Sequence, residues 1–129
     1  MAKHVNHIIG GIARLASTSG QEKYVVGGTR ESYWVVEELW NEAWAVIEAI
    51  TEGRGWGAAV DSEKRSAIKR LEEVLTDVKE SIFADLDAIG TAQLIRNHAG
   101  WQRARAAAQA CMKEMGVEIT TWERDSLDD

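Results

Sequence analysis

The chain has 129 residues, 45% hydrophobic and 28% charged, which suits one ordinary globular domain that folds without disulfide or metal and excludes overall disorder. Fifteen basic residues against 21 acidic ones leave a net charge of −6, which argues against direct binding of nucleic acid or an anionic membrane. Cys111 alone forms neither an internal disulfide nor a cysteine zinc site, and no run approaches the about 18 apolar residues of a bilayer span.

The expected unit is a single helical domain over residues 1–129, with an N-terminal helix and connector in 1–28 and a C-terminal tail in 117–129. The short, interrupted apolar piece after Met1 lacks the clean core of a signal peptide, so the chain reads as cytoplasmic. There is no proline, so long helices run unbroken and glycine supplies the punctuation.

The first helix is predicted over residues 5–16, where Val5, Ile8, Ile9, Ile12 and Leu15 recur at helical spacing. Gly10 and Gly11 inside it each cost up to about 1 kcal/mol against alanine, so it needs a packing partner. Residues 21–26 read as a connector, with Tyr24-Val25-Val26 a candidate short strand.

The second helix is predicted over residues 29–51, with Thr29 as N-cap and Glu31 at the positive end of the dipole. Val36, Leu39, Trp40, Ala43, Trp44, Ile47 and Ile50 share one face, joined by Tyr33. Glu38, Asn41, Glu42 and Glu52 oppose them. The wheel puts Trp34 on that polar side, as an exposed ring awaiting a partner. The third helix is predicted over residues 61–89, capped by Asp61 or Ser62. Ile68, Leu71, Leu75, Val78, Ile82, Leu86 and Ile89 form the narrow seam of a bundle helix. Gly90 stops it and Thr91 caps the next, so the two are expected to be antiparallel neighbours.

The fourth helix is predicted over residues 91–115, with Gly100, Ala104 and Ala108 as a small-residue stripe for a close helix. After Gly116, residues 117–122 alternate like a short strand that would pair with residues 24–26. The last residues, 123–129, read as a frayed acidic tail. Residues 31–60 carry a net −5 and residues 91–120 a net +2, so the second and fourth helices suit one another as neighbours. The expected fold is therefore all-α: a single antiparallel bundle of about four helices with a small two-stranded β pairing.

Three kinds of chemistry follow. Glu38 with Glu42 and Glu73 with Asp77 are i,i+4 carboxylate pairs on successive helices, a donor set that suits Mg²⁺ and phosphates. In the text Glu37-Glu38-Leu39-Trp40-Asn41-Glu42 and Glu72-Glu73-Val74-Leu75-Thr76-Asp77 the layout resembles the all-α nucleoside triphosphate pyrophosphatases of the MazG type. That resemblance implies a Mg-dependent hydrolase, although the family spaces its pairs i,i+3. On the wheel both pairs point away from the apolar seams.

Arg96, Arg103 and Arg105, with Arg54 and Trp56 of the glycine-rich loop 53–57, suit a small anionic ligand such as a nucleotide. That loop lacks the Lys-Ser/Thr ending of a P-loop. His4, His7 and His98 lack a further ligand at metal-binding spacing, and Cys111 reads as a small buried hydrophobe. Six tryptophans against one phenylalanine favour the third reading, since tryptophan is enriched at binding hot spots. That reading is a non-enzymatic protein-binding module, an adaptor or inhibitor, without cofactor. Its partner surface comprises Trp34, Glu38, Asn41, Arg54 and Trp56, and a homodimer or higher oligomer is expected.

Overall fold

The computed structural model describes residues 10–29, 33–53 and 60–127. The readings of His4, His7, Glu31, Arg54 and Trp56 lie outside them. The described chain is all-α: α1 over residues 10–16, α2 Thr18–Gly20, a π-helical turn Gln21–Val26, α3 Val36–Thr51, α4 Ser62–Asn97, α5 Ala99–Glu114 and α6 Ile119–Ser126. Both expected strands are corrected. Residues 24–26 belong to the π-helical turn and 119–122 to α6, and no strand occurs among the described residues.

α4 is the axis. Asp61 caps it by accepting from the Lys64 amide at 2.9 Å, and that bond holds the Asp61 carboxyl below its ordinary pKa. Its seam residues Ile68, Leu71, Leu75, Val78, Ile82 and Leu86 are buried, each fully buried aliphatic side chain being worth about 1.5–3 kcal/mol. Ile89 ends the seam at 40% exposure. Gly90 then takes φ 82° and ψ 164°, a conformation open to glycine without a Cβ clash, and the chain reverses there.

The fourth predicted helix is not continuous. It breaks at His98, whose Nδ1 accepts from the Trp101 amide at 3.2 Å and caps α5. The small-residue stripe has its partner within the chain, because α5 packs on α4. Asp85 meets His98, Asp77 meets Arg103 and Arg70 meets Glu114. The pairs step down α4 as they climb α5, so the helices are antiparallel. Ala104 and Ala108 are completely buried there.

α3 packs on α4, also antiparallel. Trp40 meets Phe83 edge-to-face with centroids 5.4 Å apart, and Arg65 donates to the Ile50 carbonyl at the other end. α5 packs on α4 and α6 and bonds to the N-terminal segment through Gln21 and Ala16, so α3 is not among its principal partners. Arg103 answers Asp77 of α4, and Arg105 answers the Gln21 amide and the Ile95 carbonyl. α3 itself starts at Val36 rather than at residue 29, and Val35 gives it no side-chain cap. Residues 33–35 are non-helical because the Trp34 amide donates to the Tyr24 carbonyl at 2.8 Å, which ties this stretch to the π-helical turn. Glu37 and Glu38 supply the acids of the first turn.

α1 finds the packing partner it needs. A Cβ on Gly11 would fall 2.5 Å from Val46 Cγ2, so glycine lets α1 approach α3 closely, and Ile12 and Leu15 are buried. Of the segment read as a frayed tail, residues 123–126 belong to α6. Trp122 packs on the core, and Glu123 Oε2 accepts from Ser17 Oγ at 2.7 Å and the Ser19 amide at 3.2 Å.

Among the described residues two polar side chains, Ser17 and Gln21, lie at zero exposure. Ser17 Oγ accepts from the Gly20 amide and caps α2. Gln21 Nε2 donates to the carbonyls of Arg14 and Leu15 at 3.0 and 2.7 Å. Its Oε1 accepts from Trp101 Nε1 and Arg105 Nη1, both at 2.9 Å. Every hydrogen-bonding site of this amide is used, and the last carbonyls of α1, orphaned by the helix end, are satisfied. Gln109 completes the set by donating to the Ala16 carbonyl.

Candidate functional site

The start of α3 faces α1 and the π-helical turn. Trp34 is half-buried and its ring lies directly over Gly20, where a Cβ would clash with it. It stands 5.0 Å, centroid to centroid, from Tyr24. The wheel placement of Trp34 is therefore corrected. The residue lies outside the helix, and its inner edge belongs to the packing of the N-terminal segment. Tyr33, expected on the apolar face, is 61% exposed.

Between residues 33–35 and α3 lies a cleft of about 200 Å³, lined by Arg14, Tyr33, Trp34, Glu38, Leu39 and Glu42. Arg14 Nη1 donates to Glu42 Oε1 at 2.8 Å across one wall. Glu38 is exposed, and no hydrogen bond or ion pair engages its carboxylate among the described residues. Asn41 is exposed on the same helix but does not line the cleft. The structure thus groups Trp34 and Glu38 of the expected partner surface, adds Tyr33, Arg14 and Glu42, and leaves Asn41 outside.

The four carboxylates expected to hold Mg²⁺ are dispersed. Glu42 is turned to Arg14 on α1, and Asp77 pairs with Arg103 on α5 at 3.2 Å. Glu73 is exposed on α4. Among the described residues no three His, Cys, Asp or Glu side chains converge as a metal site requires.

The three arginines of the anion reading are also turned to the protein. Arg96 grips Glu22 with Nε at 2.9 Å and Nη2 at 2.8 Å, a two-point guanidinium–carboxylate contact. That hydrogen bond lowers the Glu22 pKa and raises that of Arg96. Arg103 is on Asp77. Arg105 donates to Gln21 and to the Ile95 carbonyl, and partial burial lowers its pKa.

A second concavity of about 300 Å³ lies beside Thr51, Arg65, Ser66, Lys69 and Glu72. Its one arginine is committed to the carbonyls of Ile50 and Val60. Cys111 is buried. Burial, with Glu114 nearby, pushes its thiol up to about 12, so it stays protonated and inert as a nucleophile.

Ser81, Asp85 and His98 gather where α4 passes the start of α5, and they superficially suggest a nucleophile, an orienting acid and a base. Both His98 nitrogens are taken, Nε2 by Asp85 Oδ2 at 2.8 Å and Nδ1 by the Trp101 amide. Ser81 Oγ donates to the Val78 carbonyl. No base is left for the hydroxyl, and the cluster serves as a helix cap.

No protein-family model, no curated protein and no solved structure matches this chain. No described helix is long and apolar enough to cross a membrane.

The tryptophan surplus is largely absorbed inside the fold. Trp40 and Trp101 are buried, and Trp34, Trp44 and Trp122 pack on the core. Sequence reasoning missed Tyr33 and Arg14 as cleft residues. Tyr33, expected on the apolar face of the second helix, reaches the cleft because α3 starts only at Val36, and Arg14 lies on α1, which packs across α3. The tandem Gly27-Gly28 was the available signal that the chain turns before α3.

Proposed function

We propose that this chain is a non-enzymatic protein-binding module of the cytoplasm, an adaptor or inhibitor built as a single antiparallel helical bundle. The partner is another protein, and the contact surface is the cleft of Trp34 and Glu38 with Tyr33 at its edge. One observation carries the reading. Among the described residues only Tyr33 and Ile89 are large apolar side chains that stand exposed, and Tyr33 stands beside a cleft that holds Trp34 and an unengaged carboxylate. Tyrosine and tryptophan are the residue types most enriched where binding energy concentrates. The commitment of Arg96, Arg103 and Arg105 to internal acceptors, and the dispersal of the acidic pairs, support the same choice.

A photo-crosslinking residue at position 33, expressed in the native host, tests this. A discrete adduct is expected from position 33 and none from position 89, and Glu38→Lys should abolish it. Absence of any adduct from position 33 overturns the reading. An adduct with a second copy, matched by dimer mass in light scattering, makes the partner the chain itself. Thermal stabilisation by Mg²⁺ that disappears in Glu38→Gln or Asp77→Asn would put the hydrolase in its place. Stabilisation by nucleotide without Mg²⁺ would put the anion binder there.

A further inference from the structure

We infer that the cleft beside Trp34 receives the guanidinium group of an arginine on the partner protein, with Glu38 as its carboxylate. The inference rests on the protein-binding reading and names what the surface recognises. Size comes first. About 200 Å³ falls below the roughly 300–1,000 Å³ of small-molecule sites, so the cleft suits one inserted side chain. Its walls then select the chemistry. Tyr33 and Trp34 offer aromatic surface, which attracts a cation and suits the flat face of a guanidinium. Glu38 offers a carboxylate with no engagement among the described residues. Of the charged residues that line the cleft, Arg14 is answered by Glu42, so the charge left for an incoming cation is that of Glu38.

Arginine is chosen over lysine on a precedent inside the cleft. Arg14 already presents a guanidinium nitrogen to Glu42 at 2.8 Å, one helical turn from Glu38 on the same face of α3. A second guanidinium on Glu38 repeats that contact. A planar fork matches a carboxylate at two points while lying against a ring, whereas an ammonium is a strongly hydrated point charge.

The test is an amide-resolved NMR titration of the full chain with three blocked tripeptides: Gly-Arg-Gly, Gly-Lys-Gly and Gly-citrulline-Gly. The arginine peptide should shift the Trp34 indole N–H and the amides of Glu38 and Glu42, saturating in the millimolar range. The lysine peptide should bind several-fold more weakly, and the uncharged citrulline peptide should leave the cleft unmoved. Glu38→Gln, an exposed change that keeps the fold, should weaken the arginine peptide about tenfold, as loss of a charge-assisted hydrogen bond does. Equal response to lysine, an unchanged affinity in Glu38→Gln, or no shift at the cleft overturns the inference. If that happens while the position-33 adduct persists, the protein-binding reading stands and the arginine assignment alone falls. Loss of both removes the reading itself.

Discussion

Two regions of this molecule are held together by different physics. The antiparallel seam of α4 and α5 is apolar and regular. Leu71, Leu75, Val78 and Ile82 from one helix and Ala104 and Ala108 from the other are all buried, and its ion pairs, such as Arg103–Asp77, lie on exposed flanks. The N-terminal segment from α1 through the π-helical turn is short, glycine-bearing and irregular. It is held by buried amides and hydroxyls: Gln21 with its four hydrogen bonds, and Ser17 between Gly20 and Glu123. The seam gains by removing apolar area from water. The polar region gains less per contact, but leaving any of its buried groups unpaired is expensive. The candidate cleft sits on the second region, so its geometry depends on hydrogen bonds that no periodicity reveals.

The largest effect should come from Gln21→Ala. The change strips partners from the Trp101 indole N–H and the Arg14 and Leu15 carbonyls, each orphaned buried group costing about 1–3 kcal/mol. A total loss of about 3–5 kcal/mol in urea unfolding is expected. A loss under about 1 kcal/mol would mean that water replaces the amide and that the two regions do not differ in kind.

Next is Ala104→Leu, which probes the seam. Overpacking there should cost about 1–3 kcal/mol, although leucine is a good helix former. A variant that melts at the wild-type temperature would show that the seam yields freely.

His98→Ala removes the cap of α5 and should cost about 1 kcal/mol, read as faster amide exchange at Trp101 before any global change. Uniform slowing or no change there would break the assignment of His98 as a cap.

A smaller, pH-dependent effect belongs to Glu22. Its pKa is lowered in the fold by Arg96, so its contribution is present above the unfolded carboxylate range and is lost as pH falls through the folded value. Glu22→Gln should therefore be less stable than the parent at neutral pH, with the difference closing under acid. A gap that persists at low pH would show that packing, not charge, is at stake.

Smallest is Glu38→Gln with Glu42→Gln. It should leave the fold intact and change stability by at most about 1 kcal/mol, since both carboxylates are exposed and, among the described residues, only Glu42 has a pair.

Some of this architecture needs no tertiary information. The 3-4 spacing from Ile68 to Leu86, the Asp61 cap, the stop at Gly90 and the small-residue stripe are local statements, and a helix long enough to repeat its pattern declares its buried face. All-α character follows from the same signals. What escaped is non-local. Residues 24–26 and 119–122 have strand-like text, yet each lies in a helical turn packed against the core, because tertiary packing overrides propensity in short segments. The start of α3 moved from 29 to 36 because one backbone bond, Trp34 to Tyr24, and one close approach, Trp34 over Gly20, outweigh a good capping threonine. That shift took Trp34 and Tyr33 off the wheel and made the cleft.

The sequence by itself determined the helical class, the long apolar seam and its antiparallel return, since these depend on spacing along one helix and on a glycine that alone tolerates the turn. Only the tertiary structure decided what closes the N-terminal segment and which charges remain available. Arg96, Arg103 and Arg105 are indistinguishable from ligand-binding arginines in the text, and only folding assigns them Glu22, Asp77 and Gln21. Glu38 and Glu42 are likewise one pair on a wheel, until Arg14 comes across from α1 to engage one of them and leave the other. The physical reason is common to all of these cases. A charge or amide takes its partner from whatever the fold brings within about 3 Å, and chain distance does not encode that.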